Sequence, residues 1–303
     1  MTVMNNKLRI AFIGCVESSF RALSTLLHMD CVEVCAVVTR KESKINSDFV
    51  DLSCLCIEKK IPHHFENPQE RQSTYKFLNS FELDVIYCFG WSYLLKKETL
   101  EMTQHGVIGF HPAKLPANRG RHPLIWALAL GLEETASTFF KMDEGADSGP
   151  ILSQRTINIE KSDNATTLYS KVLAVADKQI VEFTQELYKG TARFYEQSHE
   201  KANYWRKRSR KDGLIDWRMT ASSIHNLIRS LASPYPGAEF VVNEKPFTVM
   251  DSTPVFNTYP ENIEPGKVLS IKEKDLLVKC AGQDAIWLRD LDLNTLNEIG
   301  KYL

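Results

Sequence analysis

The sequence has no excess of charge of either sign. Its 37 lysines and arginines face 38 aspartates and glutamates, which leaves a net charge of −1 at pH 7. Proteins devoted to nucleic acids usually have a basic surplus, because the phosphates that they bind are anionic. The balance argues against a dedicated nucleic-acid binder. The composition, 43% hydrophobic and 25% charged, is that of an ordinary globular protein.

The sequence also lacks the paired cysteines and histidines of a zinc site. Its seven cysteines are an odd number, and most lie in apolar stretches such as CVEVCAVV. Neither Cys31 with Cys35 nor Cys54 with Cys56 is matched by a second pair at zinc spacing. We therefore predict buried free thiols in a reducing compartment, no metal site and a cytoplasmic location.

Long apolar runs are missing as well. The N-terminal stretch MTVMNNKLRIAFIG contains only a short apolar run before Glu17, which is too short for a signal peptide or a membrane span. No association with a membrane is expected.

The beginning of the chain has a strand, helix, strand order without the glycines of a dinucleotide site. The apolar run LRIAFIGC (8–15) is followed by helical spacing in ESSFRALSTLLHM and by a second apolar run, VEVCAVVT (32–39). Strands without polar alternation are typical of parallel sheets that are buried on both faces. The turn IGCVESSF has one glycine where the dinucleotide fingerprint needs three, so a nicotinamide cofactor is not predicted.

The remaining patterns predict a Rossmann-like open, mostly parallel sheet in an N-terminal α/β domain. The predicted strands are 8–15, 32–39, 61–65, 83–90, 105–111, 136–142 and 151–159. An amphipathic helix over 164–190 closes this domain, with Asp163 or Asn164 as its cap and Gly190 at its end.

Five short strands beyond a basic stretch predict a small C-terminal β-barrel, OB-like in character. A helix over 221–232 precedes them, and the strands are 238–243, 245–252, 266–271, 275–280 and 285–291. The predicted domains are a catalytic domain over 1–200, a basic linker over 201–211 and a β-rich domain over 212–303.

The end of the fifth strand is the candidate site. His111 ends that strand, and Asp147 lies in DEGADSGP, the loop after the next strand. Ligands of open α/β sheets bind outside the carboxyl ends of strands. A histidine there can exchange a proton while a carboxylate orients it. Spacing alone leaves a second interpretation open, in which His111 is bonded to a carbonyl and Asp147 forms a turn.

The residues around this pair resemble the signature of the folate-dependent formyltransferases. The similarity lies in FHPAKLPANRGRHPLIWAL (110–128) and TASTFFKMDEGADSGPIL (135–152), and the interval from His111 to Asp147, 147 − 111 = 36 residues, fits that pattern. RKDGLIDW (210–217) and RSLASPYPGAEF (229–240) are similar to motifs of methionyl-tRNA formyltransferase and its sugar-nucleotide relatives. The resemblance covers nearly the whole chain.

The resemblance implies roles for individual residues and a co-substrate, N10-formyltetrahydrofolate. His111 matches the catalytic histidine and Asp147 the aspartate that tunes it. The folate-binding residues that it implies are Ser92, Tyr93, Leu94, Arg121, Asp143, Glu144, Gly145 and Ala146.

Gly109 departs from the family pattern. The family has an asparagine two residues before the histidine, and that amide donates a hydrogen bond to the formyl oxygen as it becomes an oxyanion. Such a donor is often worth about 2.7–4 kcal/mol. Either Asn118 or a backbone N–H replaces it, or the activity is weakened.

Two acceptors of the formyl group compete. Trp126 and ADSG resemble the sugar-nucleotide branch, which implies a UDP- or dTDP-linked amino-deoxysugar and a role in N-formylated surface glycans, with Asn118, Arg119 and Tyr235 as substrate contacts. The alternative is methionyl-tRNA formyltransferase, with the basic run 201–211 and Lys161 as a phosphate track. A second alternative, suggested by Gly109, is a catalytically impaired binding protein. The sequence leaves the sugar, the base and a possible homodimer open.

Overall fold

The chain divides into two compact units in a computed structural model, which describes residues 7–43, 48–67, 69–292 and 299–303. The first unit comprises Met1–Gly120, Ala136–Ile157 and Lys171–Tyr204. The second comprises Arg121–Thr135, Asn158–Ser170 and Trp205–Leu303. The second unit thus includes two segments from before residue 200. The division of the chain into domains at 200 and 212 stays a prediction.

The predicted Rossmann-like, mostly parallel sheet is confirmed. The first eight strands are β1 (Leu8–Ile13), β2 (Val32–Thr39), β3 (His63–Phe65), β4 (Val85–Cys88), β5 (Val107–His111), β6 (Arg119–Gly120), β7 (Glu134–Lys141) and β8 (Ile151–Asn158). All except β6 form one sheet in the order β3-β2-β1-β4-β5-β7-β8. The pairs among β1–β5 are parallel, and β7 runs antiparallel to β5.

Burial on both faces explains the apolar run of β1. Successive side chains of a strand point to opposite faces. Ile10 and Phe12 accordingly belong to one buried cluster of the first unit, whereas Ala11 and Ile13 belong to another. From Ile10 onward both faces are covered, and the strand has no polar residue there.

The seven α-helices of the described residues vary widely in length. They are α1 (Glu17–Leu27), α2 (Ser53–Lys59), α3 (Arg71–Leu78), α4 (Lys97–Leu100), α5 (Pro123–Ala129), α6 (Ala165–Lys189) and α7 (Ala221–Ser230). The predicted long helix is α6. Asn164 caps it, since its Oδ1 accepts the N–H of Thr167 at 3.0 Å, and Gly190 ends it with a φ of 67°. None of the helices described is both long enough and apolar enough to cross a membrane.

The stretch predicted as a linker contains regular structure. β9 (Tyr204–Trp205) pairs with β6, and a 3₁₀ turn covers Arg210–Gly213. A strand of two residues is too short to produce a periodic signal, which is why both partners were read as loop.

The second unit contains the predicted small β-barrel. Its strands are β10 (Ala238–Val242), β11 (Lys245–Val249), β12 (Ser252–Val255), β13 (Val268–Lys272), β14 (Asp275–Lys279) and β15 (Ala285–Leu288). β10 and β11 form a hairpin, and the other four form an antiparallel sheet in the order β12-β15-β14-β13. The single strand predicted over 245–252 was wrong, because β11 ends at Val249 and β12 begins at Ser252. Pro254 is tolerated there because β12 is an edge strand.

All seven cysteines are free thiols. Five are buried, as predicted, whereas Cys31 is half-buried and Cys54 is exposed. Burial raises the pKa of the Cys56 and Cys280 thiols to about 12, so these two remain protonated at neutral pH. Within the described ranges no group of three or more histidine, cysteine, aspartate or glutamate side chains could hold a metal ion.

Candidate active site

His111 ends β5 inside the first unit and is almost fully buried. It lies opposite Thr138 of β7, and its exposed fraction is 5%. β5 is a central strand, with β4 on one side and β7 on the other. The side chain is therefore held by the sheet itself, at the carboxyl end of the strand where the sequence predicted a site.

Hydrogen bonds hold the proline-bounded loop after His111 against β7 and β8. The Thr138 hydroxyl donates to the carbonyl of Ala113 at 2.7 Å. Gln154 Nε2 on β8 donates to the carbonyl of Leu115 at 2.9 Å and to the Thr138 hydroxyl at 3.0 Å. These contacts give a polar loop the rigidity that a catalytic constellation needs.

The two nitrogens of the His111 ring have different partners. Nε2 lies 2.8 Å from the backbone carbonyl of Asn118, and Nδ1 lies 3.6 Å from Asp147 Oδ2. A carbonyl can only accept, so Nε2 carries a hydrogen. Nδ1 is therefore the nitrogen that can gain or lose a proton, and it faces a carboxylate. Both sequence interpretations of His111 describe part of this arrangement.

Asp147 is held in a backbone conformation that few aspartates adopt. Its φ is 54°, and Asn118 and His122 also have positive φ values, 65° and 57°. The N–H of Gly120 donates to Asp147 Oδ2 at 2.8 Å. Strained residues of this kind concentrate at functional sites, where surrounding contacts stabilise them.

Asn118 and Arg119 are neighbours in sequence but differ in exposure. Asn118 is half-buried, and no hydrogen-bond partner of its carboxamide occurs among the described residues. Arg119 is 1% exposed, and its guanidinium donates to Gln197 Oε1 at 2.6 and 3.2 Å and to the Tyr204 hydroxyl at 2.9 Å. Asn118 is open to a ligand, whereas the charged group of Arg119 is enclosed by protein.

The side chain of Met142, the residue that follows β7, covers Gly109. A Cβ built at Gly109 would lie 2.8 Å from Cγ and 3.1 Å from Sδ of Met142. Real Cβ atoms do not approach other atoms so closely, so Met142 occupies the space that an asparagine at 109 would need. A thioether is at most a weak acceptor, and it cannot replace an amide donor.

Five of the predicted folate-binding residues of the first unit line two cavities, whereas Ser92 and Ala146 line neither. A cavity of about 670 Å³ is lined by Asp143, Glu144 and Gly145 together with Lys97 and Lys141. A second, of about 30 Å³, is lined by Tyr93 and Leu94 among others. Residues of α4, with its neighbours in the sequence, line both cavities. Leu94 is 78% exposed, and the guanidinium of Arg40 lies 4.5 Å from the centre of the Tyr93 ring.

The loop that contains Asp143 is closed by its own hydrogen bonds. Asp143 Oδ1 accepts from the N–H of Gly145 at 3.0 Å and from the Ser148 hydroxyl at 2.7 Å. Ala146 lies in the same loop. Asp147 of this loop faces His111, whereas Asp143, Glu144 and Gly145 line the larger cavity, whose lining includes neither His111 nor Asp147.

The predicted residues Arg121 and Tyr235, with Trp126, belong to the second unit. The Trp126 ring has the guanidinium of Arg208 4.6 Å and that of Arg206 5.3 Å from its centre. Arg206 also pairs with Asp212. Burial, and then the positive charges of Arg121, Arg208 and Lys207, lower the pKa of His122. We call these residues (Arg121, His122, Trp126, Arg206, Lys207 and Arg208) the cationic cluster.

Sequence reasoning missed four residues that shape the site. They are Thr138, Met142, Gln154 and Gln197. Thr138 was visible only as part of a strand. The other three act through contacts between segments far apart in sequence, for which spacing contains no signal.

Comparison with known proteins adds to this geometry. A model of the formyl transferase family matches residues 8–184, and a model of the formyl transferase C-terminal domain matches residues 207–299. The chain is also similar to solved structures. It resembles WlaRD, a sugar 3N-formyl transferase solved in the presence of dTDP and 5-N-formyl-THF, with a TM-score of 0.69 and 18% identity over 95% of this chain and 99% of that one.

Two further structures have the same fold. The N-formyltransferase of Helicobacter canadensis, in complex with folinic acid and dTDP-3-aminofucose, has a TM-score of 0.71 and 18% identity over 93% of this chain and 98% of that one. The methionyl-tRNA formyltransferase of Clostridium thermocellum has a TM-score of 0.60 and 17% identity over 90% of this chain and 97% of that one. At such identities the likeness concerns the fold.

Proposed function

The chain belongs to the formyl transferase family, and from that premise we propose that it moves the formyl group of N10-formyltetrahydrofolate to the amine of a nucleotide-linked amino-deoxysugar. The chain is thus a formyl transfer enzyme. The observation that carries the proposal is the ring of His111, whose Nδ1 faces Asp147 Oδ2 at 3.6 Å while Nε2 is tied to a carbonyl.

His111 would move one proton in each turnover. An amine loses a proton when it becomes a formamide, and the nitrogen that releases the formyl group needs one. Nδ1 would take up the first proton, and Asp147 would stabilise the imidazolium until that proton is returned. The hydrogen on Nε2 remains on that nitrogen and is donated to the Asn118 carbonyl. Nδ1 would therefore be the ring nitrogen that exchanges a proton.

The residues around the larger cavity fit the proposed co-substrate. A volume of about 670 Å³ lies in the range of small-molecule sites. Two lysines and three acidic residues line it: Lys97, Lys141, Glu101, Asp143 and Glu144. Lys97 pairs with Glu101 and Glu144, so Lys141 is the cation that would attract the carboxylates of a folate tail. When bound, N10-formyltetrahydrofolate would supply the formyl group. The loop 143–147 would hold it next to His111.

Asn118 is our candidate for the missing oxyanion donor. Its carboxamide is free of hydrogen bonds within the described part of the chain, and its backbone carbonyl already contacts His111. The carbonyl contacts the other ring nitrogen, Nε2, and an amide without a partner on the same residue is available to donate to an oxygen that becomes negative. This role would replace that of the family asparagine, whose position is filled by Met142.

The cationic cluster supports an anionic acceptor, and we propose that the reaction takes place in the cytoplasm. A nucleotide-linked sugar contains a diphosphate and a base, and guanidinium groups and an indole ring suit both. Two of the similar structures contain dTDP or a dTDP-linked amino sugar. The same cluster would also serve the second candidate, the formylmethionine step on initiator tRNA, because a tRNA backbone is a chain of phosphates.

Incubation with N10-formyltetrahydrofolate and separate acceptors tests the proposal. The acceptors are UDP- and dTDP-linked 3- and 4-amino sugars and methionyl-tRNA, and a gain of one formyl group is measured by mass. Formylation of a nucleotide sugar supports the proposal, and formylation of the tRNA alone contradicts it. Transfer to no acceptor, together with retained folate binding, would indicate the impaired binding protein that Gly109 suggests.

A further inference from the structure

Arg119 has an unusual environment for a charged side chain. It is 1% exposed, and its guanidinium contacts only neutral groups among the described residues: Gln197, Tyr204 and His199 Nδ1, the last at 3.4 Å. Burial of a charge is costly unless every donor finds an acceptor. In this structure the guanidinium of Arg119 therefore contacts protein groups, and its role as a substrate contact stays a prediction.

The side chain of Gln197 connects the guanidinium of Arg119 to the backbone of the Asp147 loop. Its Oε1 accepts from Nε and Nη2 of Arg119. Because the guanidinium is only a donor, the amide nitrogen must point the other way. Nε2 donates to the carbonyl of Asp147 at 3.0 Å and to the carbonyl of Gly149 at 2.6 Å. Every polar atom of this 5% exposed side chain is used.

The same segment of chain also holds the carboxylate of Asp147. Gly120 follows Arg119 directly, and its N–H donates to Asp147 Oδ2 at 2.8 Å. Asp147 is thus held at two points, its carbonyl by Gln197 and its carboxylate by Gly120. With a φ of 54° its backbone does not favour this conformation by itself, so the contacts determine it.

The segment that contains Gln197 is itself hydrogen-bonded to the sheet. Two residues earlier, Tyr195 exchanges both backbone hydrogen bonds with Ile151 at the start of β8, each at 2.8 Å. The side chain of Gln197 therefore extends from a backbone that is held by β8, and it contacts the guanidinium of Arg119, which is itself held in place by its burial. We propose that Gln197, oriented by Arg119, is the positioning residue that keeps Asp147 against Nδ1 of His111, an inference that rests on the proposed roles of His111 and Asp147.

The pair Gln197→Met and Gln179→Met tests this role. Methionine has a similar length but cannot form these hydrogen bonds. Gln179 is a matched control in the same unit, since it is 0% exposed and its Nε2 donates to the Ser137 carbonyl at 3.2 Å and the Ser153 hydroxyl at 2.8 Å. Both variants remove a buried amide, but only Gln197 contacts the Asp147 loop.

The first readout is the geometry of the pair in crystal structures of both variants. His111 Nδ1 lies 3.6 Å from Asp147 Oδ2 in the wild type. This distance should increase in Gln197→Met, because the Asp147 carbonyl loses its donor, and stay unchanged in Gln179→Met. An unchanged distance in Gln197→Met would overturn the proposal, even if that variant unfolds more easily than the wild type.

The second readout is the kinetics of formyl transfer. In Gln197→Met, kcat should fall about 10- to 100-fold while KM for the folate changes little, the usual cost of losing an orienting contact. Gln197→Glu keeps the partner of Arg119 and so should fold. It cannot donate to the two carbonyls, and we expect the same loss of kcat. Wild-type kcat in Gln197→Glu would contradict the role.

The two readouts separate this inference from the proposed function. If the wild type formylates no acceptor, the proposed function fails, but the crystal structures of the variants need no acceptor and still decide whether Gln197 positions Asp147.

Discussion

Two arginines, Arg119 and Arg206, meet opposite surroundings in the two units. In the first unit Arg119 is enclosed, and its partners are neutral groups such as Gln197 and Tyr204. In the second unit Arg206 is exposed, pairs with Asp212 and lies over Trp126. A buried guanidinium with a complete set of acceptors organises protein, whereas an exposed one beside an aromatic ring is available to a ligand. The same residue type therefore builds a site in one unit and is suited to binding in the other.

On the proposed function the chemistry takes place in the first unit, and His111→Ala should have the largest effect. Loss of the only ring that can exchange a proton at β5 should lower kcat about 10²- to 10⁴-fold. The lost hydrogen bond to the Asn118 carbonyl should cost only about 1 kcal/mol of stability. Single-turnover transfer measured by mass, with thermal unfolding, checks both values.

His64→Ala is the matched control for this variant. His64 also lies on a strand of the sheet and also has one ring hydrogen bond, from Nε2 to the Ser73 hydroxyl at 3.1 Å. It should retain wild-type kcat. Full activity in His111→Ala would show that the chemistry lies elsewhere.

Asp147→Asn separates charge from shape in the same unit. The N–H of Gly120 can still donate to an amide oxygen, so the loop should keep its conformation. Without the negative charge the imidazolium of His111 is less stable, and kcat should fall about 10²-fold, more than folate affinity does. Calorimetric binding of the folate, with kcat measured separately, checks this split.

Asp143→Asn is the control in the same loop, because Asp143 accepts from Gly145 and Ser148 rather than facing His111. It should weaken folate binding and leave kcat nearly intact. If Asp147→Asn loses only binding, Asp147 belongs to the folate loop and not to the proton relay.

Gly109 tests whether the oxyanion position of the first unit is vacant. Gly109→Asn should crowd Met142 and cost about 1–3 kcal/mol of stability without a gain in kcat. Asn118→Ala should lower kcat up to about 10²-fold if its carboxamide is the donor. The triple variant with Met142→Ala makes room for the new amide and should recover activity lost in Asn118→Ala. A large rise in kcat from Gly109→Asn alone would show that the natural site has no donor.

The parts of the fold that sequence alone predicted are those with a periodic or terminal signal. β2 was predicted over the residues that it occupies, and α6 begins and ends within one residue of its prediction, because Asn164 and Gly190 are strong local signals. β6 and β9 have two residues each, so only their mutual pairing defines them. Pairing is a property of the folded chain and leaves no local pattern.

The candidate site follows the same division. His111 and Asp147 were found because each follows an apolar strand and because their motif resembles a family. Met142 and Gln197 were not found, since their roles arise from contacts with Gly109 and with the Asp147 loop. Arg119 was predicted as a substrate contact from the family resemblance, and the structure places it in β6, which pairs with β9, with an exposed fraction of 1%.

The smallest expected effect concerns the field of the cationic cluster in the second unit. The pKa of His122 is lowered, first by burial and then by Arg121, Arg208 and Lys207. A histidine with a lowered folded-state pKa binds fewer protons when folded than when unfolded. Its contribution to stability is therefore complete above its ordinary pKa of about 6.5 and is lost as the pH falls below it.

Lys207→Gln should raise the pKa of His122 towards its ordinary value, because it removes one of the cations that lower it. The loss of stability on acidification, at most about 1.4 kcal/mol per pH unit for one proton and less for a half-exposed ring, should become shallower. NMR titration of His122 and urea unfolding at pH 8 and pH 5 check the two effects. Arg218→Gln is the control, since Arg218 is exposed in the same unit and pairs with Asp216. High salt should reproduce the shift, because it screens the cations but not the burial. An unchanged His122 titration, both in high salt and in Lys207→Gln, would show that the cations of the cluster do not act on His122. The contrast drawn between Arg119, which contacts protein groups, and the exposed arginines of the cluster would then lose its support in the second unit.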